Sequence, residues 1–221
     1  MKMIDQLIKR YPRVYHMAFA DCRDSIWTHG LLSTQSLVEL CELTGAKRDA
    51  ILRQRRNELV SLAGPGGEIV IRDQKPISES KLAGCLDGGL TPQDWYQRLN
   101  ERVFFWVRPD RVRGLLKAGA YAECRNDVYV FDTERLISDY ADRIELAAMN
   151  TGATRPMAFR RGPSTFQKLA TYPYEARRKK NLEPVIEFTV LGGLPNALEY
   201  VVEIERWDSG DCLEVIKPPF A

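Results

Sequence analysis

Histidine is almost missing from this sequence, with two residues, His16 and His29, in 221. The five cysteines (Cys22, Cys41, Cys85, Cys124, Cys212) are scattered and form no C-x-x-C pair. These scarcities argue against a metal centre, which needs clustered His, Cys or carboxylate ligands. They equally argue against a disulfide frame, and they suit a cytoplasmic protein with reduced thiols. No G-x-G-x-x-G or G-x-x-x-x-G-K-[ST] run occurs, so neither a Rossmann turn nor a P-loop is encoded. GPGG (64–67) is too short and carries no lysine or capping hydroxyl. A G-x-S-x-G nucleophile elbow is absent as well. No apolar run reaches the length of a membrane span, and MKMIDQLIKRYP is too broken by charge to be a signal peptide. No membrane partner is therefore expected. Net charge is +2, which excludes bulk electrostatic attraction to nucleic acid but leaves room for local basic patches.

What remains is an ordinary globular composition, 44% apolar and 28% charged, on a chain that fits one domain. MIDQLIKR sets Met3, Ile4, Leu7 and Ile8 on one helical face, and Pro12 ends it. RVYHMAF (13–19) reads as a strand, and CRDSIWTH as a short helix with Gly30 as its left-handed cap. Ser33 or Thr34 can cap TQSLVELCEL, and KRDAILRQRRNELV reads as a third helix with a basic face. EIVIR (68–72) alternates. Thr91 with Pro92 is a helix start. RVFFWV (102–107) is the most strand-like segment of the chain. DVYVF, VIEFTVL (185–191) and LEYVVEIERW are further strands, and Asp132 can cap TERLISDYA. Residues 150–181 read as loop with one helical turn around TFQKL. Strands and helices are interspersed without a βαβ rhythm, which predicts an α+β fold with antiparallel or mixed pairing.

Three elements carry chemistry. His16 ends a strand. VFFWV offers aromatic rings, with Phe105 on one face and Phe104 and Trp106 on the other. Glu187 interrupts an apolar strand, where alternation sets Glu187 and Thr189 against Ile186, Phe188 and Val190. The plain readings are a core histidine, core aromatics and a solvated or ion-paired carboxylate. The basic groups RQRR, RPDRVR, RR (160–161) and RRKK (177–180) read most simply as solvated faces, and alternatively as a phosphate-tracking patch. Asp73 and Gln74 fit either a turn or a polar cleft. His29 suits the negative end of its helix.

The order YHM…SIWTHGLLS, an arginine-bearing segment, an aromatic strand and EFTVLGGLPNALEYVVEI resembles the ADP-ribosyltransferase superfamily, in particular its DarT-like branch. The set HM, GLLS, IRDQ, LNERVFFW and RG-STF also resembles an uncharacterised bacterial domain family spanning nearly the whole chain. The first resemblance implies a split mixed or antiparallel sheet with surrounding helices over residues 1–221, with a helical insertion at about 34–100. It implies NAD as substrate, with ADP-ribose passed to a DNA or RNA base or to a protein side chain. Glu187 would be the catalytic carboxylate, stabilising positive charge on the ribose, and His16 would bond a ribose hydroxyl. Phe105 would stack on nicotinamide, and Arg56 and Arg72 would hold the pyrophosphate, with Arg55 as a further candidate. Two rivals are an RNA 2′-phosphotransferase-like enzyme, which also uses NAD, and a non-catalytic interaction module with the same fold.

Overall fold

The computed structural model describes residues 2–218. The chain runs through α1 (Met3–Arg10), β1 (Arg13–Phe19), α2 (Arg23–His29) and the two-residue β2 (Leu31–Leu32). There follow α3 (Thr34–Leu40), α4 (Gly45–Arg53), the hairpin β3 (Val60–Gly64) and β4 (Gly67–Ile71), α5 (Glu79–Ala83) and α6 (Pro92–Asn100). The middle holds β5 (Arg102–Trp106), α7 (Pro109–Leu116), α8 (Gly119–Ala122), β6 (Asn126–Asp132), α9 (Thr133–Tyr140) and β7 (Ile144–Ala147). The last part holds β8 (Gln167–Lys168), α10 (Tyr174–Lys179), β9 (Glu187–Leu191), β10 (Gly193–Leu194), β11 (Val201–Asp208) and β12 (Asp211–Ile216).

One eight-stranded sheet organises the molecule, in the order β12-β11-β6-β1-β5-β9-β7-β8. Each ladder in it is antiparallel. The α+β class predicted from interspersed elements is therefore found. Alternation assigns the faces. Val14, Phe105, Phe131, Phe188 and Val190 point into the main core with α1 and α9. The opposite face carries two smaller cores, one around Trp95, Tyr96 and Phe166, the other around Met17, Val112, Leu116 and Trp207.

Local signals explain several element ends. Gly30 caps α2 at φ +80°, and the Ser33 hydroxyl accepts from Ser36 N at the start of α3. Thr91 and Asp94 form a reciprocal capping box with Pro92 in the first turn of α6. Asp132 accepts from Arg135 N. Three expectations fail. The helix read over 47–60 stops at Arg53, because Val60 leaves to pair with Ile71 in the hairpin. In the stretch read as loop with one helical turn around TFQKL, Gln167–Lys168 form β8, the turn at Leu169–Thr171 is 3-10, and α10 adds a helix. The segment at about 34–100, read as helical, also contains that hairpin. Among the described residues no helix is long and apolar enough to cross a membrane.

Candidate active site

The two edges of β1 are unequal. Toward β6, Arg13 to Phe19 pair residue for residue with Asp132 to Asn126. Toward β5 there is a single register pair, Tyr15 with Trp106. Continuing that antiparallel register would join Met17 to Phe104, but the strands have parted there. Phe104 O instead meets the Nδ1 of His16 at 2.8 Å. A carbonyl can only accept, so Nδ1 carries the proton. Burial pushes the His16 ring down to about 4, against a weaker opposing pull from the Phe104 bond. The imidazole is therefore neutral at pH 7, and its Nε2 is an acceptor.

A cavity of about 360 Å³ lies along this parting. Consecutive residues of both strands line it, His16 to Phe19 from β1 and Arg102 to Trp106 from β5. Neighbours on a strand point to opposite faces, so the cavity is a slot between strand edges and not a hollow on one face of the sheet. The segment 34–100 closes one wall with Ile69, Arg72, Asp73, Gln74 and Asn100, and the loop after β7 contributes Asn150, Gly152 and Ala153.

Glu187 lines the same cavity as His16. It opens β9 beside Trp106 of β5 and Ala147 of β7, and is 4% exposed. Both of its oxygens accept from Thr151 N, at 3.1 and 3.2 Å, and Oε2 also accepts from the Thr151 hydroxyl at 2.7 Å. These donors favour the ionised form, as do the charges of Arg161 and Arg111. Burial outweighs them and raises the carboxyl to about 7. Of the two faces assigned to this strand, Phe188 and Val190 take the core, as alternation predicted.

The three arginine candidates separate. Arg55 lies outside the cavity, in a polar depression with Asp49, Glu79 and Gln93. Arg56 lines the cavity but gives its Nε to Arg72 O and its Nη1 to Ile51 O and Asn100 Oδ1. Nη2 is left, and one nitrogen cannot supply the two-pronged fork expected of Arg56 for a pyrophosphate. Burial also pushes this guanidinium down to about 10. Arg72 lies between Phe19 and Tyr121, its Cζ 4.1 and 4.7 Å from the ring centroids. Its Nη2 donates to Asn126 Oδ1, while its Nε is shut off from solvent with no partner. Arg72 thus has fewer of its donors engaged than Arg56, although burial pushes its guanidinium down as well.

Phe105, expected to stack on nicotinamide, lines the cavity beside His16, ring centroids 5.7 Å apart, but shows it little surface. Its ring is 1% exposed and packs edge-to-face on Phe131 and Phe188 at 5.1 and 6.0 Å. Phe104 and Trp106, on the other parity, are half-buried and line the slot. His29 does more than sit at a helix end: its Nε2 meets Pro65 O in the hairpin turn at 2.6 Å. None of the four RRKK residues lines the cavity. In that group Arg177 donates to Pro184 O, and Arg178 pairs with Glu175.

Two motifs far apart in the chain meet. GLLS and GGLP pair through β2 and β10. A Cβ on Gly30 would come within 2.3 Å of Leu194 O and Pro195 O, and one on Gly193 within 2.3 Å of Leu31 O. Both glycines have positive φ, so no other residue permits this approach. The lock ties the end of α2 to the end of the Glu187 strand.

Sequence reasoning missed Thr151, Arg161 and Asn100. Thr151 carries no local signal. Asn100 is buried and joins α6 to Arg56 and the last carbonyls of α4. Arg161 was grouped with the solvated basic runs, yet it is 1% exposed, whereas Arg160 beside it is exposed and paired with Asp87. Asp73 and Gln74 both reach the cavity wall.

A model described as a family of unknown function, DUF7002, matches residues 12–201. The chain belongs to this family. The match starts one residue before β1 and ends as β11 begins, so the DUF7002 region contains the whole slot. A family of uncharacterised domains covering nearly the whole chain is what the HM, GLLS, IRDQ and RG-STF set led us to expect. No curated protein matches the chain.

Proposed function

We propose that this DUF7002 protein is an NAD-using ADP-ribosyltransferase-like enzyme that passes ADP-ribose to a nucleic-acid base or a protein side chain. One observation carries the reading: His16 and Glu187, far apart in the chain, line a single slot where the sheet splits. Breaking the nicotinamide–ribose bond builds positive charge on the ribose. A preorganised carboxylate beside that charge is worth about 10²–10³ in rate. Glu187, buried and aimed by the Thr151 donors, fits this task. Its raised pKa means that activity should climb through about pH 7 as the carboxylate ionises. Neutral His16 offers Nε2 as acceptor to a ribose hydroxyl. Phe104 or Trp106 supplies the aromatic surface for nicotinamide, and Arg72 supplies the cation for the pyrophosphate. A phosphotransferase would draw on several free arginines around a phosphate. Here Arg56 is committed to backbone acceptors and Arg102 to Glu145, which favours the transferase over that rival.

The test is calorimetric titration of NAD into the wild-type chain and His16→Ala. Binding to the wild type that weakens at least tenfold in the variant supports the reading. An acceptor screen by nicotinamide release, with Glu187→Gln as control, would follow. A folded wild type that takes up no NAD would overturn the reading and favour an interaction module.

A further inference from the structure

The RG-STF motif lies outside the catalytic reading given above, yet it surrounds a buried cation. Arg161 donates from Nε to Phe159 O at 3.1 Å, from Nη1 to Thr151 O at 2.9 Å and from Nη2 to Ala153 O at 2.9 Å. It makes no ion pair among the described residues, and its Cζ lies 5.6 Å from the Trp95 ring centroid. Trp95 Nε1 also donates to Thr151 O, at 3.4 Å. The Thr151 carbonyl is thus gripped from two sides. The N–H and hydroxyl of that same residue hold Glu187.

The rest of the motif builds the seat. Gly162 packs so close to Asp87 that a Cβ would come within 2.9 Å of the Asp87 Cβ. Gly162 N donates to the Thr165 hydroxyl at 2.8 Å. Phe166 stacks on Trp95 at 5.7 Å and 20°, and the Arg102 Cζ lies 4.3 Å from the Phe166 ring centroid. A guanidinium this deeply buried, with carbonyls for partners, is an expensive way to close a loop, since apolar packing could do so without desolvating a charge. Its position explains the choice. Three divergent donors set the path of the loop, and the charge lies within electrostatic reach of Glu187.

We propose that Arg161 is a positioning residue for Glu187. It fixes the Thr151 peptide, so the loop from Asn150 to Gly162, and not β9 alone, decides how the carboxylate is presented to the slot. As a statement about mechanism this rests on Glu187 being the reacting carboxylate; as a statement about the loop it does not. The charged groups that face Glu187 are Arg161 from the loop and Arg111 from α7, with neutral His16 across the slot.

The experiment follows the Glu187 carboxyl carbon by NMR against pH in glutamate-labelled protein, with the signal assigned by its loss in Glu187→Gln. In Arg161→Gln the Glu187 midpoint should move up by about one pH unit or more, because a nearby cation and two aimed donors are lost or misplaced. Arg161→Lys keeps the charge but cannot span three carbonyls, so it should fall between Arg161→Gln and wild type. Thr151→Val removes the hydroxyl donor while leaving Arg161 in place, and should also move the midpoint up. An unmoved midpoint in folded Arg161→Gln overturns the proposal. If that variant does not fold, an unmoved midpoint in Thr151→Val does so, because the chain of contacts is then broken. The readout uses no NAD. A shifted midpoint without NAD binding would sink the transferase reading and leave Arg161 in its role. NAD binding with an unmoved midpoint would do the reverse.

Discussion

The two edges of β1 put the same strand to opposite uses. Against β6 it is zipped along its whole length. Against β5 it keeps one register pair and one side-chain bond, from the His16 ring to Phe104 O. A buried sheet edge that gives up its ladder must satisfy its backbone by other means and be held by packing. Here the gap is held at three points. Tyr15, Met17 and Trp106 pack on α7, the Gly30–Gly193 contact locks the strand ends, and the segment 34–100 closes the outer wall. The zipped seam supplies stability, whereas the parted seam gathers His16, Arg56, Arg72 and Glu187, whose protonation burial disturbs.

The comparison predicts a large stability loss at the zipped seam. Phe131 of β6 is fully buried, faces Val14 across that seam and packs edge-to-face on Phe105. Phe131→Ala should cost about 3–5 kcal/mol in denaturant unfolding, from lost transfer free energy and the cavity left behind. Phe104→Ala, at the half-buried wall of the slot, should cost clearly less and weaken NAD binding instead. Equal losses at the two sites would mean that the seams are mechanically alike.

At the parted seam the effect should run the other way. The Glu187 carboxyl is raised from 4.5 to about 7. Below pH 4.5 it is protonated in both folded and unfolded chains and costs nothing. As pH rises toward 7 the unfolded chain ionises first, so folded stability is progressively lost. Glu187→Gln removes that titration while its amide oxygen can still accept from Thr151. The variant should match wild type near pH 4.5 and exceed it by up to about 3 kcal/mol at pH 8. Parallel stability curves across this range would show that Glu187 is not held protonated by burial.

How much of this was legible in the sequence follows from the range of the interactions. β1 could be read residue for residue because its pattern is local. So could Gly30, the Ser33 cap and the Thr91 box, each of which acts within one turn. β7 was missed: its four residues have no alternation to detect, being buried on both faces apart from Glu145. Arg161 was misread because a basic run looks solvated until the distant carbonyls that bury it are known. Phe105 and Phe104 were separated correctly by parity, but a slot between strand edges, which residues of both parities line, depended on the parting of β1 from β5. No residue of either strand announces that parting except His16, and its role there depends on Phe104, 88 positions away.

The smallest predicted effect tests that histidine. His16→Phe removes the donor to Phe104 O and leaves a part-buried carbonyl without that partner, a cost of about 1 kcal/mol at pH 7. The His16 ring is lowered from 6.5 to about 4. Its contribution is therefore fully present above pH 6.5 and is lost as pH falls toward 4, where the unfolded chain takes a proton that the folded one refuses. The gap between wild type and His16→Phe should narrow over that range. Glu187 acts with the opposite slope between 4.5 and 7, so wild-type stability should be nearly flat from pH 4.5 to 6.5. The flatness is a cancellation: Glu187→Gln should gain stability with rising pH there, His16→Phe should lose it, and the double variant should be flat again. Single variants as flat as the wild type would mean that neither group feels the slot, and the parted seam would be an ordinary gap in a sheet.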